Sequence, residues 1–274
     1  MGFIDIIKTI IFGIVEGITE WLPVSSTGHL ILLNDFMPLQ TSPEFFDMFL
    51  VVIQFGAILA VIVTFFRKMW PFSSYLTDRE RKKIWQNWLK VIIGCIPAAV
   101  AGFLLNDFFD EHLSGTTVVA VALIVYGVIF ILVERFNKDR NFYVNEVSEL
   151  SYFGAFLIGC FQMLALVPGT SRSGVTIIGA MLLGVCRSAA AEFSFYLSVP
   201  IMLGASVLKI HDFGLHFTGN ELAVLLIGMA ASFLVSIAAI RFLMNFIRTR
   251  DFKPFGIYRI IIGIVILLYF AAAH

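Results

Sequence analysis

The chain has 274 residues, 59% of them hydrophobic and 14% charged, with 29 phenylalanines and no formal net charge. Soluble domains carry about 25% charged residues, so this composition, with a mean hydropathy of +0.92, excludes a single water-facing globule. The zero net charge also removes any global field that would recruit nucleic acid.

From the N-terminus, residues 3–34 are apolar but broken by Pro23-Val-Ser-Ser-Thr-Gly28. Glu16 and Glu20 interrupt the stretch, and Lys8 lies inside it rather than ahead of it. This is unlike a cleaved leader, and the segment is expected to stay in the mature protein. Full spans of about 20 apolar residues, the length that crosses about 30 Å of hydrocarbon, follow at roughly 45–66, 88–106 and 116–134. A second broken stretch, 152–186, is interrupted by Pro168-Gly-Thr-Ser-Arg-Ser-Gly174, and further spans follow at 190–210, 221–244 and 255–273. Neither half of a broken stretch is long enough to cross a bilayer. Each reads as a re-entrant helix–loop–helix hairpin, because irregular backbone at membrane depth survives only under protein or a wet cavity.

The two breaks align at an offset of 146 residues: Gly13 with Gly159, Glu16 with Gln162, Ser25 with Ser171, Thr27 with Ser173 and Gly28 with Gly174. Residues 1–140 and 150–274 are therefore read as two repeats within one integral membrane domain. Three spans per repeat turn the second copy upside down, which is the inverted-repeat architecture. The expected fold is all-α and polytopic, with six transmembrane helices and two re-entrant hairpins. Of 19 Lys and Arg, 16 fall in or beside the connections 67–90, 135–140, 187 and 241–259. The connections 106–115 and 211–221 carry Asp107, Asp110, Glu111, Asp212 and Glu221 instead. The basic connections are then cytoplasmic, and the first hairpin opens to the outside. Trp70, Trp85 and Trp88 suit an interfacial belt. Cys95, Cys160 and Cys186 have neither metal nor disulfide spacing and read as small apolar residues.

The polar residues inside the breaks carry the chemistry. Glu16 and Glu20, four apart on a helix, share one face, and a divalent cation such as Mg2+ or Ca2+ would relieve their repulsion. Pro23 ends one helix and the next starts near Ser26, so Ser25, Ser26 and Thr27 lie at a helix N-terminus suited to an anion. His29, one turn on, is placed to take a proton from Ser26. That makes Ser26 the candidate nucleophile, with His29 itself or a metal-bound water as rivals. Ser171, Arg172 and Ser173 repeat the design with a guanidinium whose planar fork matches phosphate. In this reading Arg172 is the single basic residue assigned to neither a membrane surface nor a flank. Together these residues describe a phosphoryl-transfer centre.

Glu16-Gly-Ile-Thr-Glu20 resembles the (E/Q)xxxE signature, and Pro168-Gly-Thr-Ser-Arg-Ser-Gly-Val-Thr176 the PGxSRSxxT signature, of the BacA-type undecaprenyl-diphosphatases, the bacitracin-resistance proteins. Ser-Ser-Thr-Gly-His29 is also as that family has it, and the resemblance runs over essentially the whole chain. It implies a bacterial inner-membrane enzyme that hydrolyses undecaprenyl diphosphate to undecaprenyl phosphate, recycling the carrier for cell-wall synthesis and conferring bacitracin resistance. It further implies a divalent cation and a site open to the periplasmic or outer side. The family's functional positions fall here on Glu16, Glu20, Ser26, His29, Ser171, Arg172, Ser173 and Thr176. Membrane lipid is the other expected partner. Oligomeric state is left open, a homodimer being the assembly considered. The rival class is a lipid or phosphate transporter or flippase, since inverted repeats with broken helices also serve transport.

Overall fold

Apolar periodicity, proline breaks and helix caps divide the chain into eleven α-helices in a computed structural model that describes residues 2–113, 115–138 and 140–273. They are α1 (Phe3–Thr19), α2 (Ser26–Phe36), α3 (Pro43–Thr64), α4 (Phe66–Met69), α5 (Asp78–Leu113) and α6 (Thr116–Phe136), then α7 (Tyr152–Gln162), α8 (Arg172–Leu182), α9 (Arg187–Phe213), α10 (Gly219–Phe246) and α11 (Lys253–Ala273). Among the described residues there is no strand, only an isolated bridge between Val144 and Val185. Nothing is described of the side chains at 106–111, so the expected placement of Asp107, Asp110 and Glu111 lies outside the described residues.

Local chemistry explains the helix starts. Ser42 caps α3 by accepting the Phe45 N–H at 3.2 Å, with Pro43 at the first helical position, where a missing N–H costs nothing. Thr218 and Glu221 cap α10 reciprocally, at 3.2 and 2.8 Å. Gly214, at φ +94°, ends α9 in a conformation open mainly to glycine.

Helices α3, α5, α6, α9, α10 and α11 are long and apolar enough to cross a membrane. The six expected spans are thus present, with α5 starting at Asp78 rather than near residue 88. Helices α1, α2, α7 and α8 have 17, 11, 11 and 11 residues. An offset of 146 carries Ser26–Phe36 onto Arg172–Leu182, the bounds of α2 and α8.

The halves interlock. Helix α1 packs on α10, α7 on α5, α3 on α9 and α6 on α11. With lipid as solvent, association relies on close packing, so backbones approach where side chains vanish. A β-carbon at Gly13 would come 2.6 Å from the Gly228 carbonyl oxygen of α10, and one at Gly159 only 2.3 Å from the Gly94 carbonyl oxygen of α5. These two glycines, 146 residues apart, thus let α1 seat closely on α10 and α7 on α5. Phe103, Leu132, Leu226 and Leu268 point outward as lipid-facing residues should.

Candidate active site

Each broken helix restarts on a serine with unusual backbone. Ser25 has φ 72° and ψ 97°, Ser171 φ 72° and ψ 114°, and they are the two non-glycine residues with positive φ among those described. Such angles crowd a β-carbon and cost about 1–3 kcal/mol each. They turn the chain so sharply that α2 begins at Ser26 and α8 at Arg172. Pro23 and Pro168, which lack an N–H, sit just upstream and prevent the preceding helix from continuing. Ser171 also caps α8, its hydroxyl accepting the Gly174 N–H at 3.2 Å.

The restarts bring the two halves together on one carboxylate. Arg172 donates from one terminal nitrogen to Glu20 Oε1 at 2.8 Å, and from the other to the Ser194 carbonyl at 2.7 Å. Ser26 donates its hydroxyl to Glu20 Oε2 at 2.7 Å, and Ser173 donates to the Glu20 carbonyl at 3.1 Å. The Ser171 and Ser173 hydroxyls lie 3.2 Å apart. Thr176 lies 2.7 Å from the Ser194 hydroxyl and 2.9 Å from the Arg172 carbonyl, so it steadies the arginine rather than facing a ligand directly. Removing one partner of a buried pair such as Glu20–Arg172 strands a charge, which costs about 3–5 kcal/mol. The Arg172 guanidinium also lies 5.9 Å from the centroid of Trp21, a fully buried ring held edge-on by Phe195 at 5.2 Å. Thr27 is exposed and stands apart from this cluster.

The expected Ser26–His29 pair is corrected. His29 folds its ring back along α2, placing Nδ1 2.7 Å from the Ser25 carbonyl and Nε2 2.8 Å from the Tyr258 hydroxyl. A carbonyl only accepts, so Nδ1 carries the hydrogen and Nε2 is the basic atom of the neutral ring. The group in contact with the Ser26 proton is Glu20, six residues earlier.

A second correction concerns Arg259. Charge counting grouped it with the surface connection 241–259, yet it is fully buried, seven residues into α11. Its guanidinium donates to the Pro23 carbonyl at 3.1 Å, and to the Gly169 and Thr170 carbonyls at 2.8 and 3.0 Å. Arg172, which is partly buried, is therefore joined at this site by a second and more deeply buried arginine. The missed signal was an arginine inside an apolar span, which marks a functional position by default.

The Glu16 and Glu20 carboxylates do not stand equivalent. Both Glu20 oxygens are engaged by Arg172 and Ser26. Both Glu16 oxygens are buried with no hydrogen-bond partner, as is the amide of Gln162, its mate in the other half. No group of three or more His, Cys, Asp or Glu surrounds either carboxylate among the described residues. A buried carboxylate without a donor suits a hard cation that takes its remaining ligands from phosphate oxygens and water, so Glu16 fits that role and Glu20 is already committed. A cavity of about 500 Å³ between α1, residues 39–42 and the start of α10 shares no residue with this cluster.

Comparison with known proteins shows the family. The family described as bacitracin resistance protein BacA matches residues 9–265. The chain is 50% identical to an undecaprenyl-diphosphatase of Desulfitobacterium hafniense over 273 residues, covering 99% of this chain and 98% of that protein. It is 52% identical to the undecaprenyl-diphosphatase of Enterococcus faecalis over 270 residues, 98% of each chain. It is 50% identical to undecaprenyl-diphosphatase 1 of Clostridium acetobutylicum over 271 residues, 98% of this chain and 99% of that one. With both signature segments meeting on Glu20 and the match running nearly end to end, the chain belongs to the bacitracin resistance protein BacA family.

Proposed function

We propose that this protein hydrolyses undecaprenyl diphosphate to undecaprenyl phosphate and inorganic phosphate, returning the lipid carrier to cell-wall synthesis. The observation that carries the reading is the Ser26–Glu20–Arg172 chain, with a hydroxyl on a carboxylate on a guanidinium where two helices restart. In the first step Ser26 Oγ attacks the terminal phosphorus while its proton passes to Glu20 Oε2. The bond to the bridging oxygen breaks, and undecaprenyl phosphate leaves with the electron pair. Arg172 and the N–H groups at the starts of α2 and α8 bind the charge on the phosphoryl oxygens. Water then attacks the phosphoserine phosphorus as His29 Nε2 takes its proton; the bond from phosphorus to Ser26 Oγ breaks, Glu20 returns its proton to Oγ, and phosphate departs. A divalent cation, held through Glu16 and the diphosphate, would neutralise substrate charge.

Purified protein given a polyprenyl diphosphate should release one phosphate per lipid, and an acid quench during turnover should trap label on Ser26. An acid-labile, base-stable adduct would move the nucleophile to His29, and no adduct at all would point to direct attack by water. Lipid exchange between leaflets without phosphate release would overturn the phosphatase reading in favour of transport. Chelation of divalent cations should stop release. Glu16→Gln should raise the half-saturating cation concentration by about 10-fold or more, and an unchanged requirement would remove Glu16 as the ligand.

The architecture we propose around the site has each broken pair, α1–α2 and α7–α8, entering and leaving by one face, in repeats inverted about the membrane plane. The 146-residue correspondence of α2 with α8, and of Ser25 with Ser171, supports it. So does the exchange of α1 and α7 between halves. With the basic connections cytoplasmic, the first pair opens to the outer side. Tyr75→Cys and His216→Cys, in protein lacking Cys95, Cys160 and Cys186, test this on intact cells, since both positions are exposed. An impermeant thiol reagent should label residue 216 and spare 75, and the reverse pattern inverts the topology.

A further inference from the structure

We infer that Arg259 is the positioning residue that locks the two broken loops to each other, so that Ser26 and Arg172 meet on Glu20 in reactive alignment. The inference deepens the phosphatase reading and rests on it.

Arg259 touches no group assigned to the reaction. Its side chain is fully buried in α11, and no carboxylate lies within ion-pair distance among the described residues. Its donors end on backbone carbonyls instead. One terminal nitrogen reaches Pro23, two residues before Ser25, and the other reaches Gly169 and Thr170, the latter immediately before Ser171. The Nε lies 3.5 Å from the Leu123 carbonyl of α6, and the guanidinium is 5.8 Å from the Tyr126 ring centroid. A charge spent on backbone carbonyls, three of them in the two loops, deep in an apolar helix, is costly to keep. Its placement accounts for the cost. The carbonyls it holds lie one or two residues before the two serines at φ 72°, backbone states that persist only where the surroundings over-determine them. One planar fork spans both loops. A lysine ammonium would keep the charge but present its donors from a single point, and would serve one loop at a time.

The test uses full-length protein in detergent with a polyprenyl diphosphate, read as kcat, KM and melting temperature. Arg259→Lys should melt near wild type with KM unchanged, because the prenyl tail's binding is untouched, while kcat falls about 100-fold from misalignment. Adding Ser25→Gly should then recover about five- to thirtyfold, since glycine takes φ 72° without a β-carbon penalty. The Ser25 side chain makes no cap hydrogen bond, and the carbonyl that His29 uses is kept. A role in charge alone predicts an active Arg259→Lys and no gain from glycine, which overturns the proposal. Near-wild-type turnover of the neutral Arg259→Gln overturns it too. If neither Arg259→Lys nor Arg259→Gln yields monodisperse protein, Arg259 is a folding residue and the proposal falls. Wild-type protein that releases no phosphate sinks the phosphatase reading instead, so the two failures are distinct.

Discussion

Arg172→Lys is expected to keep the protein folded and lose at least about 100-fold in turnover, about 2.7 kcal/mol of transition-state stabilisation. The native guanidinium performs two tasks 2.8 and 2.7 Å away in different directions, holding Glu20 Oε1 and the Ser194 carbonyl. Its Nε remains buried and unpartnered, a third donor in the same plane. A lysine can satisfy the carboxylate or the carbonyl but cannot present a coplanar edge to phosphate oxygens at the same time. The melting temperature should fall only slightly, because the charge is retained beside Glu20. The check is phosphate release against protein shown by scattering to be monodisperse. Near-wild-type turnover in such a sample would take Arg172 out of the site.

Glu20→Gln is expected to be worse, with a loss of about 10³-fold or more. It removes the base in contact with Ser26, an effect that alone is worth about 10²–10⁴-fold, and it leaves Arg172 without its counter-charge. The second consequence gives an independent readout. An uncompensated buried guanidinium destabilises the ligand-free protein by about 3–5 kcal/mol. An anion that occupies the same place should therefore restore stability. Pyrophosphate should raise the melting temperature of the Gln variant more than that of the wild type, where the anion must compete with Glu20 for the same nitrogens. Equal shifts in the two proteins would mean that the diphosphate does not meet Arg172. Full activity in the Gln variant would remove Glu20 as the base.

Apolar length and proline punctuation made the six spanning helices and both breaks legible, because the cost of exposing backbone in lipid permits few alternatives. The early start of α5 was not, since Asp78-Arg-Glu-Arg-Lys-Lys83 is helical without being apolar, held by the Arg81–Asp78 pair at 3.0 Å. Hydropathy reads the solvent around a helix rather than the helix itself. Both motifs at the site could be read from their residues and spacing. Ser26 and His29 are one turn apart in α2 yet do not hydrogen-bond, because each is engaged elsewhere, Ser26 by Glu20 and His29 by the Ser25 carbonyl and Tyr258. The turn at Ser25 leaves its carbonyl as the acceptor for His29 and brings Glu20 to Ser26. Tyr258 and Arg259 escaped because both lie more than 200 residues from the first break in a span whose basic neighbours looked like a surface flank.

The distribution of the holding groups along the chain sets an order in time. Glu20 is made first, Arg172 much later, and Arg259 in the last helix. At about 5–20 residues per second, a ribosome spends several seconds between the second break and α11. For that interval the Glu20–Arg172 pair and the two loops lack the contacts that Arg259 makes with them. A nascent chain stalled before α11 would then carry both signature motifs and no working site, so activity would appear only as synthesis ends.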